Sequence, residues 1–330
     1  MLTGVTKMNQ KISVRLVLPV VLVVGAIFLL MVTDGLDGER LHIFRQTQLT
    51  TTHTSITASS PRRRYSTSDE MQYILYGVGD QFSPYDQQLI DYIRSHISVP
   101  SLTRPRQLAT PQKEHASQSG QSAFIDKFLS GRQHGFFIEC GAADGESSSN
   151  SLFFELKRNW TGLLIEANPG YHRALLNKNR RAYVLKACLS PERRPATVNM
   201  IPFGLSGGIA NKMPHSHRAF LGNRKQISVN CFPLNAIMVA LDISHVDYLS
   251  LDVEGPELEI LRTIDWTRLH IDVITVEYRV TGKWLDTSAT LKKLKDLREF
   301  FANTSIYREV AWLPDGKSEA NARDIVFSHV

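Results

Sequence analysis

Cysteine is scarce in this chain, with 3 among 330 residues, at positions 140, 188 and 231. That is too few for a disulfide framework and excludes a small cross-linked scaffold. Cys140 falls at a strand-to-turn junction and reads as buried, while Cys188 and Cys231 are the choice if any pair is bridged. A basic stripe is missing as well. The net charge of +6 divides evenly, with 12 Lys/Arg against 9 Asp/Glu in residues 1–120 and 26 against 23 beyond. No nucleic-acid partner is expected. The dinucleotide fingerprint G-x-G-x-x-G is absent, because residue 143 is Ala. No metal site is expected either: His215-Ser-His217 has no acids or cysteines nearby to complete a ligand set. The length allows one substantial domain plus appendages.

What is present centres on residues 135–169. An apolar run, Phe136 to Ile138, ends in Glu139, and a turn with Gly141, Asp144 and Gly145 follows. A helical segment is predicted from about Ser149 to Arg158, and a second apolar run, Leu163 to Ile165, ends in Glu166. This is one βαβ unit with an acid at the tip of each strand. In doubly wound sheets the ligand sits beyond the carboxyl ends of the strands, where both acids belong. Glu166 is placed to accept hydrogen bonds from two ribose hydroxyls, and Glu139 suits a cationic ligand better than a pyrophosphate. S-adenosylmethionine, with its amino group and sulfonium, has that character. A plain α/β turn with two solvated acids is the competing reading.

Before this unit the chain changes character. Leu16 to Val32 is free of charge, or about 21 residues if Ile12 opens it, which spans roughly 26–31 Å as a helix and suffices for a bilayer. Lys7, Lys11 and Arg15 precede it and Asp34, Asp37 and Glu39 follow, which keeps the amino end cytoplasmic. A cleaved signal peptide is the alternative, but Met-Val-Thr-Asp-Gly lacks a small-x-small cleavage site. The reading is a tail at 1–11, an anchor at 12–32 and a Ser/Thr-rich stalk at 33–85. A short helix and Pro-containing linker follow at 86–119, and the domain proper at 120–330. The stalk buries too little apolar surface to fold. Asn159 and Asn303 head N-glycosylation sequons.

Beyond Glu166 a helix is expected from Pro169 to Asn179, a strand at 182–187 and another at 196–201. Residues 204–225 show no periodicity and read as a long, substrate-facing or mobile loop. A strand then ends at Asp252 and Glu254, with Pro256 opening a helix whose Glu257 and Glu259 compensate its dipole. The strand at 271–276 ends in Glu277, and a helix near 288–302 and two strands complete an α/β sheet with an antiparallel ending.

These residues resemble the FkbM-type branch of S-adenosylmethionine-dependent methyltransferases. The likeness covers roughly residues 120–330 and rests on Phe136 to Gly145 with Ser149-Asn150, on Gly162 to Pro169 and on Leu251 to Gly255. It implies a Rossmann-like, seven-stranded, mostly parallel sheet of order 3-2-1-4-5-7-6. It also implies that Glu139, Gly141, Asp144 and Gly145 hold the methionine end and Glu166 the ribose, with Cys188 near the adenine. Within that branch the chain is similar to Star-like type II membrane proteins, through the anchor, the stalk, Lys178 to Tyr183, Cys231 to Leu234 and Asp247 to Gly255. That likeness implies a single-pass protein of the endoplasmic reticulum, Golgi and endosomes that moves membrane-bound growth-factor precursors. Ala143 stands where FkbM enzymes usually have Asn, and Ser250 where they usually have Lys.

Two functions follow. The favoured reading is a lumenal trafficking protein with a methyltransferase fold, on the strength of the anchor, the stalk and Ser250. The other is an O-methyltransferase acting on a lumenal glycan or other hydroxyl. In it a carboxylate would remove the hydroxyl proton, with Asp252 first and Glu254 and Glu277 as further candidates.

Overall fold

The computed structural model describes residues 83–314 and 316–330. The expected tail, anchor and almost all of the stalk lie outside the described residues. Among the described residues, no helix is long and apolar enough to cross a membrane.

In chain order, α1 (Gln87–His96), β1 (Ile97–Ser98) and α2 (Gln121–Phe128) precede the first long strand, β2 (Phe136–Cys140). Next come α3 (Leu152–Lys157), β3 (Thr161–Ile165), α4 (Pro169–Lys178) and β4 (Tyr183–Leu185). A region of short elements follows: β5 (Cys188–Leu189), β6 (Ala196–Ile201), β7 (Gly208–Ile209), α5 (His215–Leu221) and β8 (Ile227–Phe232). Then α6 (Leu234–Leu241), β9 (His245–Leu251), α7 (Glu257–Thr263), β10 (His270–Glu277), α8 (Thr287–Thr304), β11 (Tyr307–Leu313) and β12 (Asp324–His329) complete the chain.

The main sheet runs β1-β4-β3-β2-β9-β10-β12-β11. Strands β4, β3, β2, β9 and β10 are parallel, and β12 is antiparallel to both of its neighbours. Without β1 this is the expected order, 3-2-1-4-5-7-6. Strands buried on both faces read as continuous apolar runs, and β9 is buried at every position after His245. Alternation sends Phe137 and Leu164 to one face, with α2, α3 and α4, and Ile138 and Leu163 to the other, with α1, α6, α7 and α8. Each fully buried Leu or Ile there contributes about 1.5–3 kcal/mol. Local signals fix the helix starts: the Asp86 side chain accepts from Gln88 and Leu89 N–H, and that of Asn168 accepts from Gly170 N–H ahead of Pro169.

Three features differ from the expectations. The segment read as a helix and linker ahead of the domain joins it: Leu89 and Ile93 are fully buried in the core, and β1 pairs antiparallel with β4. The segment 204–225, read as a loop, carries a 3₁₀ turn (Gly204–Ser206), β7 and α5. A second sheet, β5-β8-β6-β7, packs these short strands together. Cys188 and Cys231 face each other across β5 and β8 and form a disulfide, while Cys140 is free and buried. The two sequon asparagines, Asn159 and Asn303, are exposed.

Candidate functional site

The carboxyl ends of β2, β3 and β9 open on a cleft. Its lining includes Glu139, Gly141, Ala143, Asn150, Glu166, Cys188, Asp252 and Glu254, together with Met200 and Ile209 of the second sheet.

Glu139 stands one residue before the end of β2 and is buried. Its carboxylate accepts from Ser149 Oγ at 2.8 Å, Ser151 Oγ at 2.5 Å and the Asn150 N–H at 2.7 Å. The buried Arg180 donates to both serine hydroxyls and pairs with Glu155, so the polar segment before α3 is held from below by charge. Asn150 donates through Nδ2 to Ser250 Oγ at 2.9 Å, and its buried Oδ1 has no protein partner.

The turn after β2 approaches β9 closely. Gly141 has φ of 80°, and a Cβ there would lie 1.9 Å from the carbonyl oxygen of Asp252, so only glycine fits. Ala143 also adopts positive φ, at 48°, a conformation that Asn tolerates well, and its N–H donates to Glu166 Oε2 at 2.8 Å. Asp144 and Gly145 are not among the cleft-lining residues. Asp144 closes the turn by accepting from the N–H groups of Glu146 and Ser147, and Gly145 makes room for Leu175.

Glu166 follows β3 directly. Its second oxygen, Oε1, accepts the Asn168 N–H at 2.6 Å. Burial pushes its carboxyl up to about 7, although the backbone hydrogen bonds pull the other way.

On the far side of Gly141 lies an acidic corner. Carboxylate oxygens of Asp252, Glu254 and Glu277 lie within 4.8 Å of one another. Arg323 Nη2 sits 2.7 Å from Glu277 Oε1 and 3.8 Å from Asp252 Oδ2. Asp252 is half-buried on the cleft wall. Glu254 is held at φ of 60°, and burial, then the charge of Asp252, pushes it up to about 8. Glu277 is raised well above the carboxylate range by burial and by the same two neighbours, and it is not a cleft-lining residue. His217 is buried with Nδ1 3.5 Å from Glu254 Oε2, whereas His215 is exposed.

Sequence reasoning missed three contributors. Arg323 supplies a cation at this face, where Ser250 leaves none; a charged Arg-Asp pair heading the apolar β12 was its only signal. Asn150 and its serines were visible as a polar run but without roles. Glu257, read as a helix-dipole residue, is fully buried: Oε1 accepts from the Val253 and Gly255 N–H groups and Oε2 pairs with Lys293 at 2.6 Å. It shapes the loop that carries Glu254.

Residues 139–304 match the protein family described as the methyltransferase FkbM domain. Similar solved structures include human methyltransferase 10 domain containing protein, 11% identical, covering 70% of this chain and 89% of that one with a TM-score of 0.33. Precorrin-6y C5,15-methyltransferase from Geobacter metallireducens is 16% identical, with 63% and 87% covered and a TM-score of 0.32. M. jannaschii TYW2, solved in complex with AdoMet, is 10% identical, with 64% and 78% covered and a TM-score of 0.30. No curated protein matches this chain. The sheet order, not these distant likenesses, identifies the fold.

Proposed function

The chain belongs to the FkbM methyltransferase domain family, whose match spans half of it, and from that membership we propose an S-adenosylmethionine-dependent O-methyltransferase. One observation carries this reading: Glu139 and Glu166, each hydrogen-bonded by uncharged donors, line the same cleft as the unpartnered Asn150 Oδ1. These acceptors fit a ligand with an amino group and a vicinal diol. Glu166 would take the ribose hydroxyls, and Glu139 and Asn150 the amino group. Gly141 lets the backbone approach, and Cys188 lines the same cleft, where the family resemblance sets the adenine. S-adenosylmethionine, when bound, supplies a methyl group activated by its sulfonium.

The chain's own task is positioning and proton removal. Asp252, half-buried on the cleft wall, is the group to accept the proton of an acceptor hydroxyl. Glu254, pushed up to about 8 by burial and by the charge of Asp252, lines the same cleft beside it. Arg323 holds Glu277 and faces Asp252 from behind. Calorimetric titration of the full chain with S-adenosylmethionine tests the reading: micromolar binding is expected, and no heat at millimolar ligand sinks it.

A second reading is favoured by Ser250, buried and occupied by Asn150 where FkbM enzymes usually carry Lys. In it the chain is a Star-like type II membrane protein of the endoplasmic reticulum, Golgi and endosomes, anchored through 12–32. Its lumenal domain carries membrane-bound growth-factor precursors. Glycans on the exposed Asn159 or Asn303 in animal cells would support that topology. Cells lacking the protein separate the two readings: Asp252→Asn should restore precursor export if the domain only binds cargo, and should fail if methyl transfer is required.

A further inference from the structure

At the opposite end of the sheet from the cleft, two of the central strands begin with histidine. His245 opens β9 and His270 opens β10, and the two are register partners in a parallel pair. Partners in register present their side chains on one face, and Asp272, two residues after His270, returns to that face. His245 Nε2 lies 2.8 Å from Asp272 Oδ1, and His270 Nε2 lies 2.9 Å from the same oxygen. We propose that His245, His270 and Asp272 form a binding site for a divalent transition-metal ion of the zinc type.

Several observations carry the site. The ligand atoms lie within 4.8 Å of one another, and both imidazoles are about half exposed, at 52% and 46%, so an ion can enter from solvent. Tetrahedral zinc with bonds of about 2.0–2.1 Å separates its ligand atoms by about 3.3 Å, so each contact need open by only about half an ångström. The carboxylate is already oriented. Its other oxygen accepts from Arg132 Nη1, which also pairs with Asp247 at 2.6 Å, and Asp247 in turn accepts the Phe136 N–H at 2.7 Å. Such outer partners fix ligand direction in metal sites. Asp247 and Asp272 against Arg132 leave one surplus negative charge to attract a cation. The His329 ring, 4.3 Å from that of His270, steadies the second imidazole. Three protein ligands leave a fourth position for water.

The site stands apart from the cleft. From His245 to Asp252 the strand covers about 23 Å at roughly 3.3 Å per residue, so the proposal is independent of methyl transfer. Its role is to clamp the leading ends of β9 and β10.

The test uses the full chain, stripped with EDTA and titrated calorimetrically with Zn²⁺, with Co²⁺ absorption as a second readout. One saturable equivalent at micromolar metal is expected. His245→Ala and His270→Gln, both at exposed positions, should each weaken binding at least about tenfold and remove the rise in melting temperature that zinc gives the unsubstituted chain. Asp252→Asn, at the other acidic cluster, should change neither. Absence of saturable binding at micromolar zinc overturns the site. So does binding that both histidine variants retain, or that Asp252→Asn abolishes.

Discussion

Glu166 has both oxygens engaged by backbone N–H groups, yet burial still outweighs them and pushes its carboxyl up to about 7. It lines the cleft, and hydrogen bonds to a charged group are worth about 1.5–3 kcal/mol. Glu166→Ala should therefore weaken S-adenosylmethionine binding by that amount in calorimetry, whereas Glu259→Ala, outside the cleft lining, should leave affinity unchanged. Equal losses would mean that the ribose lies elsewhere. Glu257→Ala is no neutral control, because its carboxylate holds the Val253–Gly255 loop. At this scale Glu139 and Glu166 were legible because each ends an apolar run just before a turn. Arg323 and the fully buried Glu155–Arg180 pair were not. Nothing in linear sequence says which distant charges a fold will bury together.

Elements with enough residues to show a period were legible: α1, α8 and the central strands all lie within a few residues of their expected positions. The region between β4 and β9 was legible only at β6, expected at 196–201 and found at Ala196–Ile201. Strands of two residues and a helix of seven carry too little pattern to be read. Its organiser is the disulfide between β5 and β8, with 43 residues separating the two cysteines. Closing a loop of that length is worth roughly 4 kcal/mol in the chain-entropy account, and less where the reduced chain keeps structure. Cys188→Ser with Cys231→Ser should lower unfolding stability by about 2–4 kcal/mol in denaturant titrations. It should also weaken any ligand held against Cys188. An unchanged midpoint would show that the second sheet holds itself together without the bond.

The main sheet of the described residues follows the order that the FkbM resemblance implies; alternating apolar runs and helices show only that a parallel α/β sheet forms, not how its strands are ordered. The edge strand β1 escaped notice, since two residues after a helix give no strand signal. Five acids, Asp252, Glu254, Glu257, Glu277 and Asp324, gather around two cations, Arg323 and Lys293. Burial pushes Glu254 up to about 8 and Asp324 to about 7, from ordinary values of 4.5 and 3.8. A raised carboxyl means that the native chain holds a proton the unfolded chain has released. That stabilisation is complete below the ordinary values and lost as pH rises through about 7 to 8. Glu146, held near 2 by Lys178 and backbone donors, works in the opposite sense but fades only below about 4.5. His172 and His217, lowered by burial, also oppose as pH falls, two against the four raised acids Glu166, Glu254, Glu277 and Asp324. The melting temperature should therefore be higher at pH 5.5 than at pH 8, and the reverse order would show that these acids are ionised in the native state. Folding in the neutral range becomes an act of proton uptake, so acidification alone would tighten the native chain.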